Sequence, residues 1–563
     1  MSQQNPLTQL ALPCAILLLT AAAPPISQLT LAPVYGSIPS SELHWLMIGA
    51  TFSLGTLLHR WRGHTSRWIS RALPVWAAWM PLIQYLLLPY SKALGPVLGP
   101  VTNGFLSCHT ILIPSAYALG PPMENVDLRM LNRLPEPLRL TAVALPAFLI
   151  MEKSMASYIT LLLSHVRWLT PLHLQMLLAS CYSALFPSWL LFGAMPAILH
   201  AAFLNPHIDS IGVNAALQAH RWSLVDRQWS NTGYISVLES QEAGYRVMRC
   251  DHSLLGGEWL LTEDRKIREG WQVSEPIYSV FQMLEAVRLM KLDPPIRDTE
   301  AHALVVGLGI GTAPKSLVAH GVNTTVVELD PVVHAFAVKY FALPRNHTAV
   351  LQDAVSWIST TASRPDPGQY DYIIHDVFTG GAEPLQLFNT AFLENLRTLL
   401  KPNGVIAINY AGDLSLPLTR RVLHTIAHVF RDKQTPPGSA GGQCKIYRDS
   451  PPEAKDSTTD SNADFLNMVV FCRNTPGPIA FRAPTQRDFL GSRSRQHYMR
   501  PRPELEIPFP MTTAHHRVTD NADDAEILVL GDERRFAGEL LEGAIRHWHI
   551  MRRVLPDAVW ELW

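Results

Sequence analysis

The chain has 563 residues, with 46 Lys and Arg against 47 Asp and Glu, a formal net charge of −1. Such a length calls for three or four domains rather than one core, and the balanced charge lacks the basic excess that marks nucleic-acid binding. Charged residues make up only 17% of the chain, below the ~25% usual in soluble proteins. The deficit sits in the first two hundred residues and points to a membrane.

Apolar stretches run over residues 10–31, 43–58, 73–90, 101–119, 140–163 and 172–204. A helix needs ~20 mostly apolar residues to cross a bilayer. The second stretch is short, and the last contains Pro187 and Pro196, so it is one bent span or two. Six spans are expected, with five or seven as alternatives. These stretches carry no polar stripe, which argues against a buried soluble helical domain. Residues 1–8 carry no positive side chain and further spans follow, which favours a retained first helix over a cleaved signal peptide. Arg60, Arg62, Arg67 and Arg71 occupy one loop, and Arg129, Arg133 and Arg139 another. Both loops are expected in the cytoplasm. Six spans then leave the region after residue 204 in the cytoplasm; seven would not. Glu152 and Lys153 fall inside the fifth stretch. They are read as facing a partner helix, or as a break between half-spans, ahead of a functional ionisable site.

Beyond residue 205 the composition changes. Residues 229–249 alternate polar and apolar about Gly244, as in a small β-hairpin. Residues 275–290 read as an amphipathic helix. From Ala303 strands alternate with helices, the pattern of a parallel α/β sheet. Residues 436–464 read as a mobile surface loop, 465–472 as a late strand and 477–509 as irregular. Residues 525–563 return to a strand and a helix without an assignable task. Cys14, Cys108, Cys181, Cys250, Cys444 and Cys472 show no CxxC spacing. No metal site is expected, and the usage suits a reducing compartment for the soluble part.

The segment Ala303-Leu-Val-Val-Gly307-Leu-Gly309-Ile-Gly311 reads as a buried strand running into a glycine turn, with a helix beginning at or before Pro314. Gly307, Gly309 and Gly311 permit close approach of a ligand to the backbone. The next strand ends at Glu328, whose carboxylate can accept hydrogen bonds from both hydroxyls of a ribose. Asp330 caps the helix that opens with Pro331. A third strand ends before Asp353-Ala354, where a side chain can accept an adenine amino group and a backbone amide can meet the ring; Asp353 can equally cap its helix. The fourth strand, Tyr370-Asp-Tyr-Ile-Ile-His375, leads to Asp376 at its carboxyl end, where ligands bind in open α/β sheets. Gly380 and Gly381 follow, suited to a covering loop. Residues 401–404 read as a turn and 405–410 as the fifth strand. The loop lacks the Lys-Ser/Thr of a phosphate loop.

Together these residues resemble class I S-adenosylmethionine-dependent methyltransferases, and within them the spermidine synthase family in its membrane-fused form. The resemblance covers residues 230–472. It includes the turn Asp251-His-Ser-Leu-Leu-Gly256-Gly257 and the pair in Glu275-Pro-Ile-Tyr278 that opens a helix over the family's active site. It implies a fold with an N-terminal α-helical transmembrane bundle, a small β domain and an α/β Rossmann-like catalytic domain, with boundaries at 1–204, 205–274, 275–475 and a C-terminal extension, 476–563. It implies S-adenosylmethionine or its decarboxylated form as cofactor, with Asp376 and Tyr278 catalytic and Gly307, Gly309, Gly311, Glu328, Asp353 and Ala354 holding the cofactor. Two departures bear on the reaction. The family's glycine loop carries an Asp where this chain has Ile310, and the family's acid soon after the catalytic Asp has no counterpart before Glu383.

A dicationic polyamine is poorly served without those acids. The expected reaction is methyl transfer to a small-molecule or protein acceptor. Aminopropyl transfer and a non-catalytic membrane scaffold are the alternatives. The lipid bilayer is an expected partner, nucleic acid is not, and a homo-oligomer is left open. Replacing Ile310 by Asp is expected to weaken binding of S-adenosylmethionine and improve that of the decarboxylated form. Two charges ~4 Å apart at an effective dielectric near 20 interact by about 4 kcal/mol. Solvation leaves about a quarter of that, enough to change the ratio of affinities several-fold. Calorimetry with both forms measures the ratio; no change in a stable Ile310→Asp variant means that residue 310 does not face the cofactor's tail.

Overall fold

Proline recurs inside the apolar stretches, and the helices tolerate it because neighbouring helices and hydroxyl side chains take up the freed backbone groups. In the computed structural model, which describes residues 6–59, 65–123, 133–377, 381, 384–431, 443–451, 465–508 and 527–563, the first stretch is one helix, α1 (Pro6–Tyr35), with four prolines inside it. After it come α2 (Ser37–Leu58), α3 (Thr65–Leu87), α4 (Ser91–Gly104), α5 (Thr110–Ala118), a short α6 (Gly120–Met123), α7 (Glu136–His165) and α8 (Pro171–Leu185). Thr170 caps α8 in a reciprocal box with His173. The chain breaks before Pro187 and resumes as the apolar run Trp189–Leu204, which contains α9 (Met195–Leu199). The last apolar stretch is therefore two pieces.

Three helical runs are long and apolar enough to cross a bilayer: Leu10–Tyr35, Trp68–Met123 and Leu138–His165. They support a multi-pass membrane location. The second is 56 residues long, about twice what one crossing needs, and α3 packs on α5 within it. The core of the bundle is apolar, with the Phe52 and Phe148 rings stacked at 4.2 Å. One polar knot lies inside. Gln84 accepts from Thr30 at 2.8 Å and donates to Ser27 and Ser107 at 3.0 and 3.1 Å. Such bonds between helices hold polar groups that lipid would leave unpaired. Glu152 is buried among the helices while Lys153 next to it is exposed, as expected for a helix facing partners on one side.

The chain divides into two compact units: Met1–Ser236 with Cys250–Ser253 and His547–Trp563, and Val237–Arg249 with Leu254–Arg546. After α10 (Ser210–Gln218) come β1 (Trp222–Ser230), β2 (Gly233–Ser240), β3 (Tyr245–Cys250), β4 (Ser253–Trp259) and, beyond α11 (Glu263–Arg268), β5 (Glu275–Pro276). They form a sheet in sequence order. β2 and β3 make the expected hairpin around Gly244, whose φ is +69°.

The second sheet has eight strands in the order β13-β11-β12-β10-β9-β6-β7-β8. Its parallel half is β6 (His302–Val306), β7 (Asn323–Glu328), β8 (Thr348–Leu351), β9 (Tyr370–His375) and β10 (Leu400–Asp413). All six residues of β9 are buried, as strands covered on both faces must be. β11 (Cys444–Arg448) and β12 (Phe465–Arg473) extend the sheet antiparallel, with β13 (Glu506–Ile507) at the edge. Helices α12 (Val280–Leu284), α13 (Thr312–Ala319), α14 (Pro331–Tyr340), α15 (Ala354–Ala362), α16 (Thr390–Leu399) and α17 (Pro417–Phe430) belong to this unit. So do α18 (Gln486–Phe489) and α19 (Arg493–Tyr498) of the tail.

Several expectations from sequence are corrected. Residues 275–290 are not one amphipathic helix: a strand, α12 and a 3-10 turn over Glu285–Leu289 follow one another. The reason is burial on every side, with Glu285 held by Arg495 at 2.8 Å and Arg288 by Asp298 at 2.5 Å. Residues 401–404 do not form a separate turn but a register shift inside β10. The stretch 436–464 contains β11; the rest of it, apart from residues 443 and 449–451, lies outside the described residues. Cys444 and Cys472 stand opposite each other on β11 and β12 and are joined by a disulfide, which does not suit the reducing compartment expected. Among the described residues of 525–563 there is no strand.

Those last helices, α20 (Ala537–Val554) and α21 (Asp557–Glu561), explain the C-terminal extension in part. Within the first unit Trp548 donates to the Val34 carbonyl at 2.9 Å and Arg552 to Val34 and Ser91 at 3.2 and 2.9 Å. The Trp563 ring stacks on His207 at 4.4 Å. The carboxyl ends of α1, α3 and α7 therefore share one end of the bundle: Val34 closes α1, Ser91 follows α3, and Ser164 at the end of α7 accepts from Gln228 of β1 at 3.3 Å. The carboxyl end of α2 lies at the other end with that of α5, where His59 meets the Tyr117 ring at 6.5 Å.

Candidate active site

The loop after β6 is built around what its glycines lack. Gly307, Gly309 and Gly311 take φ values of +85°, +54° and +84°, a region that side chains disfavour. A methyl at Gly307 would overlap the Asp376 carbonyl oxygen, and one at Gly309 would lie 2.5 Å from that of Leu255 in β4. The loop is thus pinched between the end of β9 and the backbone of β4. Asp376 N–H donates to Val306 at 2.8 Å, and Gly307 N–H to Val327 at 2.9 Å. These bonds bring the carboxyl ends of β6, β7 and β9 together. α13 begins at Thr312, so Pro314 lies in its first turn.

Glu328 ends β7, and its carboxylate accepts from Asp330 N–H at 2.8 Å. Burial pushes its pKa up to about 7, against that backbone hydrogen bond and with the Asp330 carboxylate adding to the rise. Backbone N–H groups of Asp330, Leu308 and Leu329 face this carboxylate, and its remaining acceptor capacity is what the two hydroxyls of a ribose can use. Asp330 caps α14 through Val332 and Val333 N–H at 2.8 and 3.3 Å. Asp353 caps α15, which opens at Ala354, accepting from Ser356 N–H at 2.9 Å and Ser356 Oγ at 2.7 Å. Burial raises its pKa, but these bonds outweigh it and the net shift is downward. The glycine cradle, the carboxylate at 328 and the open edge at 353–354 fit an adenosyl group.

Asp376 lies beyond β9, half-buried. Burial pushes its pKa up to about 6, against a hydrogen bond from Asn409 Nδ2 at 2.8 Å. Asn409 was not singled out from sequence. Its signal was a lone amide at the carboxyl end of the apolar strand Val405-Ile-Ala-Ile-Asn-Tyr410. Among the described residues its own Oδ1 is buried without a partner, as is the hydroxyl of Tyr278. Burial raises the Tyr278 pKa, so the hydroxyl stays protonated. His375 points elsewhere: its ring packs edge-on against Phe388 at 4.7 Å, and burial pushes its pKa down to about 4.

Two acids that would serve a polyamine are gone or engaged. Ile310 is buried, and its side chain lies against Gly256 of β4, so the place of the family's acid is an apolar contact. Glu275 is saturated by Ser492 at 2.5 Å, Ser494 at 2.6 Å and Arg493 N–H at 2.7 Å. The segment expected to be irregular thus tethers the strand that precedes Tyr278. Gly380 and Glu383 lie outside the described residues.

The fold and this site define a spermidine synthase-like transferase that uses S-adenosylmethionine or its decarboxylated form. Residues 283–436 match the spermine/spermidine synthase domain. An Emericella nidulans protein described as an N-terminal histidine N-methyltransferase is 38% identical over 570 residues, covering 99% of this chain and 98% of that protein. A probable polyamine aminopropyl transferase of Bifidobacterium longum is 28% identical over 146 residues, covering 25% of this chain and 32% of its own length. Among solved structures, a probable spermidine synthase from Corynebacterium glutamicum is 16% identical, with a TM-score of 0.34, covering 48% of this chain and 86% of that one. The chain belongs to the same family as the full-length Emericella protein, and its relation to a methyltransferase is stronger than its relation to aminopropyl transferases.

Replacing Glu328 by Ala is expected to weaken cofactor binding strongly, since two charge-assisted hydrogen bonds of about 1.5–3 kcal/mol each are lost. Calorimetry of the detergent-solubilised full chain with S-adenosylmethionine reads this, and an unchanged dissociation constant in a stable variant would place the ribose elsewhere.

Proposed function

We propose that the protein methylates a ring nitrogen of an N-terminal histidine on a peptide or protein, with Asp376 and Tyr278 at the reacting centre. The observation that carries this reading is likeness along the whole chain to a protein of that description, where likeness to aminopropyl transferases is partial. The replaced acid at Ile310 and the engaged acid at Glu275 agree with it. Gly307, Gly309, Gly311, Glu328, Asp353 and Ala354 are assigned to the cofactor, which when bound supplies a methyl group on a sulfonium.

The acceptor chemistry follows from ordinary pKa values. An imidazole, near 6.5, offers a free lone pair at neutral pH, whereas an α-amino group near ~7.7–8.0 is largely protonated. Asp376 as a carboxylate accepts the N–H of the ring, which turns the other nitrogen's lone pair outward. As the new N–C bond formed, the methyl–sulfur bond would break and leave a neutral thioether; the ring would become cationic and its N–H proton would pass to Asp376 or water. Asn409 holds the carboxylate by its 2.8 Å bond, and the role given to the buried Tyr278 hydroxyl in this reading is to donate to the acceptor.

Membrane sidedness is part of the reading. Loop arginines mark the cytoplasmic end of a bundle; among the described residues Arg71 lies near the start of α3, and Arg133 and Arg139 at the start of α7, whose Thr141 is bonded to Thr56 near the end of α2. β1 and the chain's C-terminus are bonded to the opposite end. The break at Pro187 divides the last stretch into two pieces, and counting both as short spans gives the seven-span alternative in place of six. Disulfides persist in oxidising compartments, and Cys444–Cys472 is one. These observations favour a catalytic domain on the non-cytoplasmic side, in place of the cytoplasmic side expected from six spans.

Incubating the purified full chain with S-adenosylmethionine and a peptide that begins with histidine is expected to add one methyl group to the peptide. Its kcat/KM should fall below about pH 6 with two ionisations, Asp376 and the substrate ring. Asp376→Asn should lower the rate by ~10²–10⁴-fold and leave the substrate's ionisation alone. Wild-type rates in that variant would remove Asp376 from the chemistry. For sidedness, protease added to sealed vesicles from the cytoplasmic side should leave the region after residue 204 intact; its digestion would restore the cytoplasmic orientation.

A further inference from the structure

An enzyme that selects an N-terminal histidine over one inside a chain has to sense the α-ammonium, because the imidazoles are alike. Burying part of an ammonium needs an acid within hydrogen-bond reach, distinct from the one that holds the ring. Among the described acids of the catalytic unit, Glu275 is saturated by the tail, Glu285 pairs with Arg495, Glu258 faces Lys315 at 3.6 Å and Asp413 is held by Arg546.

Strand register singles out another. Asn409 and Ala411 lie on one face of β10. Ala411 pairs with Asn467 of β12. The Arg448–Met468 pairing of β11 with β12 puts Asp449 opposite Asn467, and Asp449 N–H donates to the Asn467 carbonyl at 3.2 Å. Paired residues share a face, so Asn409, Asn467 and Asp449 stand on the same side of the sheet. They stand at its carboxyl edge, where Asp376 lies. The Asp449 carboxylate accepts from Asn467 Nδ2 and from Ser279 Oγ, each at 3.3 Å, and from Ser450 Oγ at 3.0 Å. Ser279 is the neighbour of Tyr278, whose buried hydroxyl has no partner. All three donors to Asp449 are neutral apart from the backbone, and among the described residues no cation pairs with it. Three strand spacings separate 376 from 449, about 14 Å between backbones, the scale of one histidine with a hydrogen bond and a carboxyl at each end.

We infer that Asp449, held by Ser279 and Asn467, binds the α-ammonium of the acceptor and so makes the site selective for a histidine at a free N-terminus. This rests on the proposed histidine methylation. Asp449 is a positioning and specificity residue; the ring chemistry stays with Asp376.

The test compares a peptide beginning with histidine with the same peptide acetylated at its N-terminus, on the wild-type full chain and on Asp449→Asn and Asp449→Glu. The wild type should prefer the free peptide. Asp449→Asn should raise KM for the free peptide about ten-fold, the effect of one charge-assisted hydrogen bond, and leave kcat and S-adenosylmethionine affinity close to wild type. The preference for the free peptide should shrink with it, and Asp449→Glu should restore part of it. A merely structural role would lower kcat or stability for both peptides alike. Undiminished preference in a stable Asp449→Asn variant overturns the assignment while the histidine reading stands. If the wild type methylates neither peptide, the histidine reading falls and the assignment with it.

Discussion

A methyl group at Gly309 would stand 2.5 Å from the Leu255 carbonyl oxygen, and one at Gly307 would overlap that of Asp376. Backbones that close leave room for glycine alone, and each contact ties the loop after β6 to a different part of the catalytic unit. The contact at 307 aligns the end of β9, and with it Asp376, to the strand that carries the cofactor loop. The contact at 309 brings β4 over the same loop. The glycine loop, the end of β9 that carries Asp376 and the backbone of β4 are therefore fixed by the steric demands of two positions, before any side chain there is considered.

The roof also carries the change of chemistry. Ile310 sits between Gly309 and Gly311 and fills the space beside Gly256. An aliphatic side chain there closes the loop on β4 by apolar contact, where an acid would have to be solvated or paired. Glu275 is withdrawn by a different route. It is bonded to two serines and a backbone amide from the tail, and the tail is anchored through Arg495 to the buried Glu285. Loss of one acid and engagement of another leave Asp376 beside a neutral donor, Asn409, with Asp449 as the further acid at that edge of the sheet. Such a site suits a neutral nucleophile better than a polycation.

The membrane unit shows a comparable division of labour. Its apolar core sets the packing, while Gln84 and its hydroxyl partners hold the helices in register where lipid offers no hydrogen bonds. Arg552 is buried among carbonyl, hydroxyl and carboxylate partners, so the end of the chain closes onto the same unit as its beginning. A buried guanidinium needs all those partners in place together.

The sequence by itself settled the features that rest on short-range patterns. Apolar runs of span length, alternation around Gly244, Val-rich strands ending at Gly307 and Glu328, and Asp330 before Pro331 each express their physics within a few residues. The Rossmann-like order, the glycine loop between β6 and α13 and the place of Asp376 at the end of β9 were legible for that reason. Tertiary structure decided whatever depends on residues far apart in the chain. Cys444 and Cys472 become partners only when β11 and β12 pair, residues 275–290 lose their regular helix because ion pairs bury them on every side, and a break at Pro187 adds a seventh apolar segment. Asn409 and Asp449 join the site through strand register, which no local pattern encodes, since the hydrogen bonds that set it run between strands tens of residues apart.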